Sequence, residues 1–242
     1  MIAIETRDLT KTYRDVTAVD HLNLTVQKGE LFSLLGVNGA GKSTTIRMFS
    51  CLTAPTGGDA LLLGKSVVRD AAAVKALIGV SPQETAVAPG LTVQENLELL
   101  CGIHGISKEK RPGKIAELTE RLGLTAVLRR RAGKLSGGMQ RRLSIAMALI
   151  SEPQILFLDE PTLGLDVLAR AELWDLIRAL KGQITILLTT HYMEEAEALS
   201  DRIAIMKDGR LLRCDTAARL MELTGTDRFE EAFIRIVKEE TI

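Results

Sequence analysis

The sequence predicts an α/β fold with a parallel sheet at its centre, and three observations lead to this prediction. Near-continuous apolar runs occupy positions 31–35, 155–158 and 184–190, as expected for parallel strands that are covered on both faces. Segments with helical periodicity follow these runs, which is the alternation typical of βα units. A glycine-rich turn joins the first apolar run to the helix behind it.

The remaining segments predict what surrounds this core. The first ~35 residues alternate short apolar stretches with turn signals, which indicates an N-terminal antiparallel β subdomain. Positions 91–149 carry apolar residues at helical spacing and predict an α-helical insert. Asp208-Gly209 predicts a β-hairpin over 203–213.

We therefore expect one domain over residues 1–242. It comprises an α/β core of 1–84 and 152–216, a helical subdomain of 85–151, and a short helical C-terminal tail of 217–242. The expected individual elements are helices at 44–52, 139–150, 168–180 and 194–199, and strands at 60–63 and 76–80.

The glycine-rich turn fits the phosphate-binding pattern G-x-x-x-x-G-K-[ST] from Gly36 to Ser43, between a strand and a helix as that pattern requires. Gly36, Gly39 and Gly41 allow a tight bend without Cβ atoms in the way, so that successive N–H groups can point at a phosphate. The helix that begins near Lys42 adds its own unpaired N–H groups. Lys42 can reach the β- and γ-phosphates, and the Ser43 hydroxyl can bind Mg²⁺. The sequence thus predicts a P-loop NTPase (RecA-like) core.

Composition narrows the classes of function. The 242 residues include 31 basic and 31 acidic side chains, so the formal net charge is zero. Because nucleic-acid binding usually shows as a basic excess, we expect no nucleic-acid partner. The basic runs at 108–111 and 129–131 are interpreted as solvated helix faces, with a nucleic-acid patch as the alternative.

Cysteine content and apolar run lengths add two further expectations. Cys51, Cys101 and Cys214 are scattered, which predicts neither a disulfide framework nor a zinc site and fits a reducing compartment. No apolar run approaches the ~20 residues that span a bilayer, and no leader-like segment opens the chain. Work at a membrane would therefore require a partner that supplies the spans.

A second group of motifs follows the helical insert. Positions 136–138 (Ser-Gly-Gly) precede a predicted helix, where Ser136 by itself would be an ordinary N-cap. Shortly afterwards the apolar strand at 155–158 ends in two carboxylates, Asp159 and Glu160. In this order and spacing the chain resembles the nucleotide-binding subunit of ABC transporters over nearly its whole length.

Six segments carry the resemblance. They are similar to the family's Walker A motif (36–43), Q-loop (Gln83), signature loop (135–139), Walker B end (157–160), D-loop (163–166) and H-loop (189–191). One departure is Met139, where the family more often has Gln. The phosphate-contacting residues before it are intact, so the departure concerns fine tuning.

The resemblance implies roles for the matching residues. Asp159 meets Mg²⁺ directly or through water, with Ser43 and Gln83 as further ligands. Glu160 orients or deprotonates the attacking water, and His191 links the γ-phosphate to that water. The implied catalytic residues are Lys42, Gln83, Glu160 and His191, and the implied ATP-binding residues are Tyr13, Gly36, Asn38, Gly39, Ala40, Gly41, Lys42, Ser43, Thr44, Ser136, Gly137, Gly138 and Asp166.

Each role has a structural alternative. Tyr13, which would stack on adenine, could instead pack at an edge strand. Asp159 could be a capping residue, Glu160 a surface carboxylate, and His191 a satisfied core histidine. Gln83, at the junction of core and insert, would also relay the nucleotide state to the insert.

The resemblance also implies partners. In the family, residues corresponding to 136–138 contact the nucleotide of an opposing subunit, so a second copy or a homologous ATPase subunit is expected. The segment 192–197 and the short tail resemble exporter subunits that pair with a separate ABC-2-class integral-membrane protein. The chain would then work at the cytoplasmic face of the membrane, with 82–96 offering a groove to a partner helix.

Two alternatives remain at this point. The first is a soluble ABC-type ATPase without a transport role, such as a cluster-assembly component. The second is a small-molecule kinase, which would need an acceptor site and leaves the Ser-Gly-Gly turn at 136–138 unexplained.

Overall fold

The computed structural model describes residues 1–239, and its first sheet is antiparallel. Its strands are β1 (Ile2–Tyr13), β2 (Val16–Leu22), β3 (Thr25–Gln27), β5 (Gly57–Leu62) and β6 (Lys65–Ser66). Their order is β2-β1-β5-β6, and β3 also pairs with β1. This sheet is the N-terminal antiparallel subdomain that the alternating sequence predicts.

The second sheet is mainly parallel. It contains β4 (Leu31–Leu35), β7 (Ile78–Ser81), β8 (Ile155–Asp159), β9 (Thr185–Thr190), β10 (Arg202–Lys207) and β11 (Arg210–Asp215), in the order β11-β10-β4-β9-β8-β7. Only the hairpin strand β11 runs antiparallel to its neighbour. Every residue of β4, β8 and β9 is buried, which explains why these strands are nearly continuous apolar runs.

The register of the central strands brings their carboxyl ends to one edge of the sheet. Leu35 pairs with Thr190, and Asp159 pairs with Thr189. The backbone N–H of Gly36 donates to the Thr190 carbonyl (3.3 Å) just beyond the last strand residue. Segments that follow β4, β8 and β9 therefore meet at a single place, as is usual for sites in parallel α/β sheets.

Nine α-helices surround the sheets within residues 1–239. They are α1 (Lys42–Phe49), α2 (Ala71–Leu77), α3 (Val93–Ile103), α4 (Arg111–Arg121), α5 (Gly137–Leu149), α6 (Val167–Leu180), α7 (Met193–Leu199), α8 (Ala217–Thr224) and α9 (Phe229–Glu239). Helices α3, α4 and α5 form the helical insert. None of the helices in this part of the chain has the length and apolar character needed to cross a membrane.

Alternate residues of the parallel strands pack into different cores. Leu156 and Leu158 of β8 face the core that lies under the helical insert. Ile155 and Phe157 face the core between the two sheets, where the Phe157 ring lies 5.9 Å from the ring of Phe49. The sheet is thus covered on both faces, which confirms the predicted α/β architecture.

Several element boundaries differ from the sequence prediction. The predicted strand at 76–80 is wrong at its start, because residues 76 and 77 close α2 and the strand begins at Ile78. Helix α2 escapes a pattern search because Val74 is its one buried residue. The helix predicted at 44–52 starts two residues earlier and ends three residues earlier than predicted, since α1 covers Lys42–Phe49. The predicted tail is two helices, and its positions 240–242 lie outside the described residues.

Candidate active site

The phosphate-binding loop connects β4 to α1 and is shaped by backbone that only glycine accommodates. Gly41 has φ of +98°, and a Cβ atom there would lie 2.3 Å from the Ala18 carbonyl oxygen. Gly41 is also the N-cap of α1 and makes no side-chain cap, so the first-turn N–H groups are available to an anion. A cavity of about 430 Å³ opens here, lined by Ala18, Asn38, Gly39, Ala40, Gly41, Lys42, Ser43, Thr44, Gln83 and Glu160.

Lys42 is a buried cation at the floor of this cavity. Its Nζ donates to the carbonyl oxygens of Gly36 (2.8 Å) and Val37 (3.2 Å). The same Nζ lies 3.5 Å from Oε1 of Glu160. These contacts place a positive charge next to the open first turn of α1, where a polyphosphate would need it.

Asp159 ends β8 and is held by two hydroxyl groups. Its Oδ1 accepts hydrogen bonds from Ser43 Oγ (3.0 Å) and Thr189 Oγ1 (2.5 Å). Within residues 1–239 this buried carboxylate has no ion pair with a basic side chain, which is costly unless a cation compensates its charge.

A magnesium ion fits this group of residues. The carboxylate of Asp159, the hydroxyl of Ser43 and the side-chain amide of Gln83 are all oxygen donors of the kind that Mg²⁺ prefers. No cluster of three or more His, Cys, Asp or Glu that could hold a metal occurs in the described part of the chain. That absence is compatible with Mg²⁺, which is usually held by one or two carboxylates together with phosphates and water.

Glu160 follows Asp159 and is fixed at both its backbone and its side chain. Its backbone N–H donates to Thr189 Oγ1 (3.1 Å), and its φ of +48° is in the left-handed region. The side-chain Oε2 lies 2.6 Å from Nδ1 of His191. A left-handed glutamate costs about 1–2 kcal/mol, so the surrounding contacts hold this carboxylate at the cavity against backbone strain.

The structure brings most of the sequence-predicted residues together, but a second set lies elsewhere. Tyr13 is exposed at the end of β1, with the Lys11 ammonium 4.9 Å from its ring centroid. Ser136 caps α5 by accepting from the Met139 N–H, and Asp166 caps α6. Tyr13, Ser136, Gly137, Gly138 and Asp166 do not line the P-loop cavity of their own chain.

Three sets of contacts at the site escaped the sequence analysis. Thr189 lies in the segment that resembles the H-loop, but the sequence does not predict its hydrogen bonds to both Asp159 and Glu160, made from a buried strand with three threonines. Ala18 lines the cavity from the first sheet, a contact that no local pattern indicates. Arg141, on α5, donates to the backbone of the segment that carries Gln83.

The helix that follows His191 carries a buried carboxylate. Glu195 of α7 is fully buried, and its Oε1 accepts from Trp174 Nε1 (3.1 Å). Burial raises the pKa of Glu195, and the neighbouring Thr190, Thr162, Trp174 and Arg170 side chains offset part of that effect. Its Oε2 and the nearby Thr162 hydroxyl are buried without a hydrogen-bond partner in the described residues.

Comparison with known proteins agrees with this geometry. Residues 19–163 match the family model described as "ABC transporter". The chain is 44% identical to "Daunorubicin resistance ATP-binding protein DrrA3" of Streptomyces coeruleorubidus over 221 residues, which cover 91% of this chain and 70% of that protein. It is 41% identical to "Doxorubicin resistance ATP-binding protein DrrA" of Mycobacterium tuberculosis, covering 98% of this chain and 72% of that protein.

A solved structure shows the same fold and relates it to nucleotide chemistry. A dimeric ATP-binding cassette in a post-hydrolysis state, bound to ADP and Pi, superposes with a TM-score of 0.79 at 29% identity, covering 88% of this chain and 98% of that one. Together with the relatives, this favours the transporter subunit over the non-transport ATPase. The chain therefore belongs to the ABC transporter family, as an ATP-binding and ATP-hydrolysing subunit of an exporter.

Proposed function

We propose that this chain pairs with a second copy, or with a homologous subunit, so that each of two ATP molecules lies between the P-loop of one chain and positions 136–138 of the other. One observation carries the proposal: positions 136–138 form the start of helix α5, and this turn does not line the P-loop cavity of its own chain. Ser136 caps only the Met139 N–H, which leaves the N–H groups of Gly137 and Gly138 for an anion.

The surface around that turn supports association with another chain. A Cβ atom at Gly138 would lie 3.1 Å from the Ala169 side chain, so the turn packs directly against the start of α6. Beside it, Val167 and Leu168 are 76% and 77% exposed. Adjacent exposed apolar residues next to a ligand-binding turn are typical of an interaction surface.

In this proposal each polar group in and around the cavity has a role in ATP hydrolysis. Glu160 orients the attacking water and accepts its proton, while His191 holds the Glu160 carboxylate in place and contacts the γ-phosphate. Lys42 neutralises charge on the β- and γ-phosphates. Ser43, Asp159 and Gln83 would hold Mg²⁺, which would stabilise the negative charge on the phosphate oxygens.

After hydrolysis the Ser-Gly-Gly turn of the partner loses the γ-phosphate that it binds. The closed dimer is then no longer favoured, because its stability depends on contacts that only ATP provides. ATP binding closes the pair, and hydrolysis opens it.

The membrane partner contacts the helical insert in this proposal. Leu99 and Ile103, one turn apart on α3, are both exposed, and Asn96 holds the adjoining loop through hydrogen bonds with the backbone of Ala88. This apolar strip beside the segment 82–96 suits a short amphipathic helix of an integral-membrane subunit. The chain would be a peripheral protein at the cytoplasmic face of the membrane, and the exported substrate would be selected by the membrane subunit.

The test is the oligomeric state of Glu160→Gln. The substitution removes the proton acceptor and preserves the shape of the side chain, so ATP should persist and hold two chains together. We expect a dimer with ATP by size-exclusion chromatography with light scattering, and a monomer with ADP. Adding Lys42→Ala to the same chain should abolish the dimer. A Glu160→Gln protein that stays monomeric at saturating ATP would refute the proposal.

A further inference from the structure

A buried guanidinium lies between helix α5 and the segment that carries Gln83. Arg141 is only 4% exposed. Its Nη1 donates to the Pro82 carbonyl (2.6 Å), and its Nη2 donates to the Gln83 carbonyl (2.7 Å). Within residues 1–239 Arg141 forms no ion pair with a carboxylate, so two backbone oxygens are what it binds.

Burying the charge of Arg141 is costly, which indicates that the guanidinium is needed to orient the groups that it binds. Burial lowers the pKa of Arg141, and the negative charges of Asp159 and Glu195 offset part of that effect. An apolar side chain of similar size would avoid the desolvation penalty. What a guanidinium adds is a planar fork of N–H donors, which fixes two successive carbonyls and hence the orientation of the peptide unit between Pro82 and Gln83.

Arg141 therefore connects two segments that face different nucleotides in the proposed dimer. Gln83 lines the P-loop cavity of its own chain and Ser136 does not, so in the proposed dimer Ser136 would face the cavity of the partner. Arg141 follows Ser136 by five positions on α5, about 7.5 Å along a helix that rises 1.5 Å per residue. The hydroxyls of Ser81 and Ser144, 2.8 Å apart, hold the same strand end to the next turn of α5.

We infer that Arg141 is a positioning residue that couples the two ATP sites by keeping Gln83 and the 136–138 turn in a fixed relation. When nucleotide displaces Gln83, the guanidinium passes that displacement to α5. Occupancy of one cavity thereby sets the placement of the phosphate-binding turn over the other. The inference rests on the dimer described under the proposed function.

The experiment compares two variants of Arg141 with a matched control on the same helix. Arg141→Met removes the donors and keeps the bulk, and Arg141→Lys keeps a charge without the fork. Arg142→Met is the control, because Arg142 is also largely buried but pairs with Glu172, away from Gln83. Each variant is made alone for hydrolysis rates against ATP concentration, and together with Glu160→Gln for ATP-dependent dimerisation. Binding of a fluorescent ATP analogue to the dilute monomer and the melting temperature are measured in parallel.

For Arg141→Met we expect at least a tenfold weaker ATP-dependent dimer and a Hill coefficient that falls towards 1. Monomer affinity for the analogue should change less than threefold, and Arg141→Lys should recover part of the dimerisation. Arg142→Met should dimerise within threefold of the Glu160→Gln parent.

Two results would overturn the inference. One is an Arg141→Met protein with the same dimer affinity and Hill coefficient as Arg142→Met. The other is an Arg141→Met protein whose losses are matched by lower melting temperature or monomer affinity and are not recovered by lysine, which would show a purely structural or local role. If the Glu160→Gln parent itself does not dimerise with ATP, the proposed function is wrong. If the parent dimerises and Arg141→Met behaves like Arg142→Met, only the inference about Arg141 is wrong.

Discussion

A methyl group added at Gly41 tests whether the first sheet shapes the phosphate-binding loop. The Cβ of Gly41→Ala would lie 2.3 Å from the Ala18 carbonyl oxygen and 3.3 Å from Cγ2 of Val19. Because the Ala18 oxygen belongs to backbone, the contact is relieved only if the loop or β2 moves. Overpacking of this kind costs about 1–3 kcal/mol. The left-handed backbone adds about 1–2 kcal/mol for any residue other than glycine.

Gly39→Ala is the matched control for the backbone term. Gly39 has φ of +83°, but nothing lies within 4 Å of a Cβ placed there. We expect the free energy of unfolding of this variant to fall only by the cost of left-handed backbone, about 1–2 kcal/mol. Gly41→Ala should therefore be less stable than Gly39→Ala by the overpacking term, about 1–3 kcal/mol.

The assay is urea unfolding without nucleotide, followed by tryptophan fluorescence and circular dichroism, with free energies from linear extrapolation. ATP affinity does not discriminate, because both glycines line the cavity. Gly182→Ala supplies a second control, since Gly182 has φ of +79° and open space around its Cβ. Equal unfolding free energies for Gly41→Ala and Gly39→Ala would refute the claim that Ala18 presses on the loop.

Three further predictions concern a carboxyl, a thiol and a helix cap. Because burial raises the pKa of Glu195 above its usual 4.5, the stability that this group contributes is complete below about pH 4.5 and is lost as the pH rises through the raised pKa. The stability gained by Glu195→Gln over the parent should thus grow from pH 5 to pH 8, whereas the exposed Glu194→Gln should show no such trend, and a pH-independent gain would contradict the reasoning. Burial raises the pKa of Cys214 to about 11, so roughly 0.1% of this thiol is thiolate at pH 8. Alkylation of Cys214 by iodoacetamide should therefore be about a hundredfold slower in the native protein than in urea. Equal alkylation rates, measured by mass spectrometry, would contradict this prediction. Thr92 caps α3 in a reciprocal arrangement with Glu95. In urea unfolding, Thr92→Ala should lower the free energy of unfolding by about 1 kcal/mol, and Thr92→Ser should lower it much less. Equal losses in the two variants would show that the hydroxyl is not the cause.

The sequence is most informative where the chemistry is local. The P-loop occupies eight consecutive positions (36–43) whose strand-to-helix setting can be recognised without a tertiary model. Asp159 and Glu160 are recognisable for a similar reason. Carboxylates at the end of a buried strand are costly unless a cation or hydrogen bonds compensate their charge, so their presence indicates a site. Fully buried strands such as β4 leave an apolar run that predicts a parallel sheet.

What the sequence does not reveal depends on contacts between distant segments. Ala18 reaches the cavity only because the first sheet packs over the loop, and an alanine gives no chemical signal. Arg141 looks like its neighbour Arg142 in sequence, yet one is buried against backbone carbonyls and the other pairs with Glu172. Helix α2 has too little buried surface to leave a periodic pattern.

The placement of β4 has a consequence for synthesis of the chain. Leu31 of this strand pairs with Ile186 of β9, and Phe32 pairs with Arg202 of β10. Both neighbours of the strand that begins the P-loop are therefore translated long after it. Until β9 has left the ribosome this apolar strand has two unpaired edges, and until β10 follows it still has one. Chaperones bind such exposed strands, which otherwise favour aggregation. A ribosome stalled before residue 202 would hold a nascent chain whose P-loop strand still lacks its β10 neighbour.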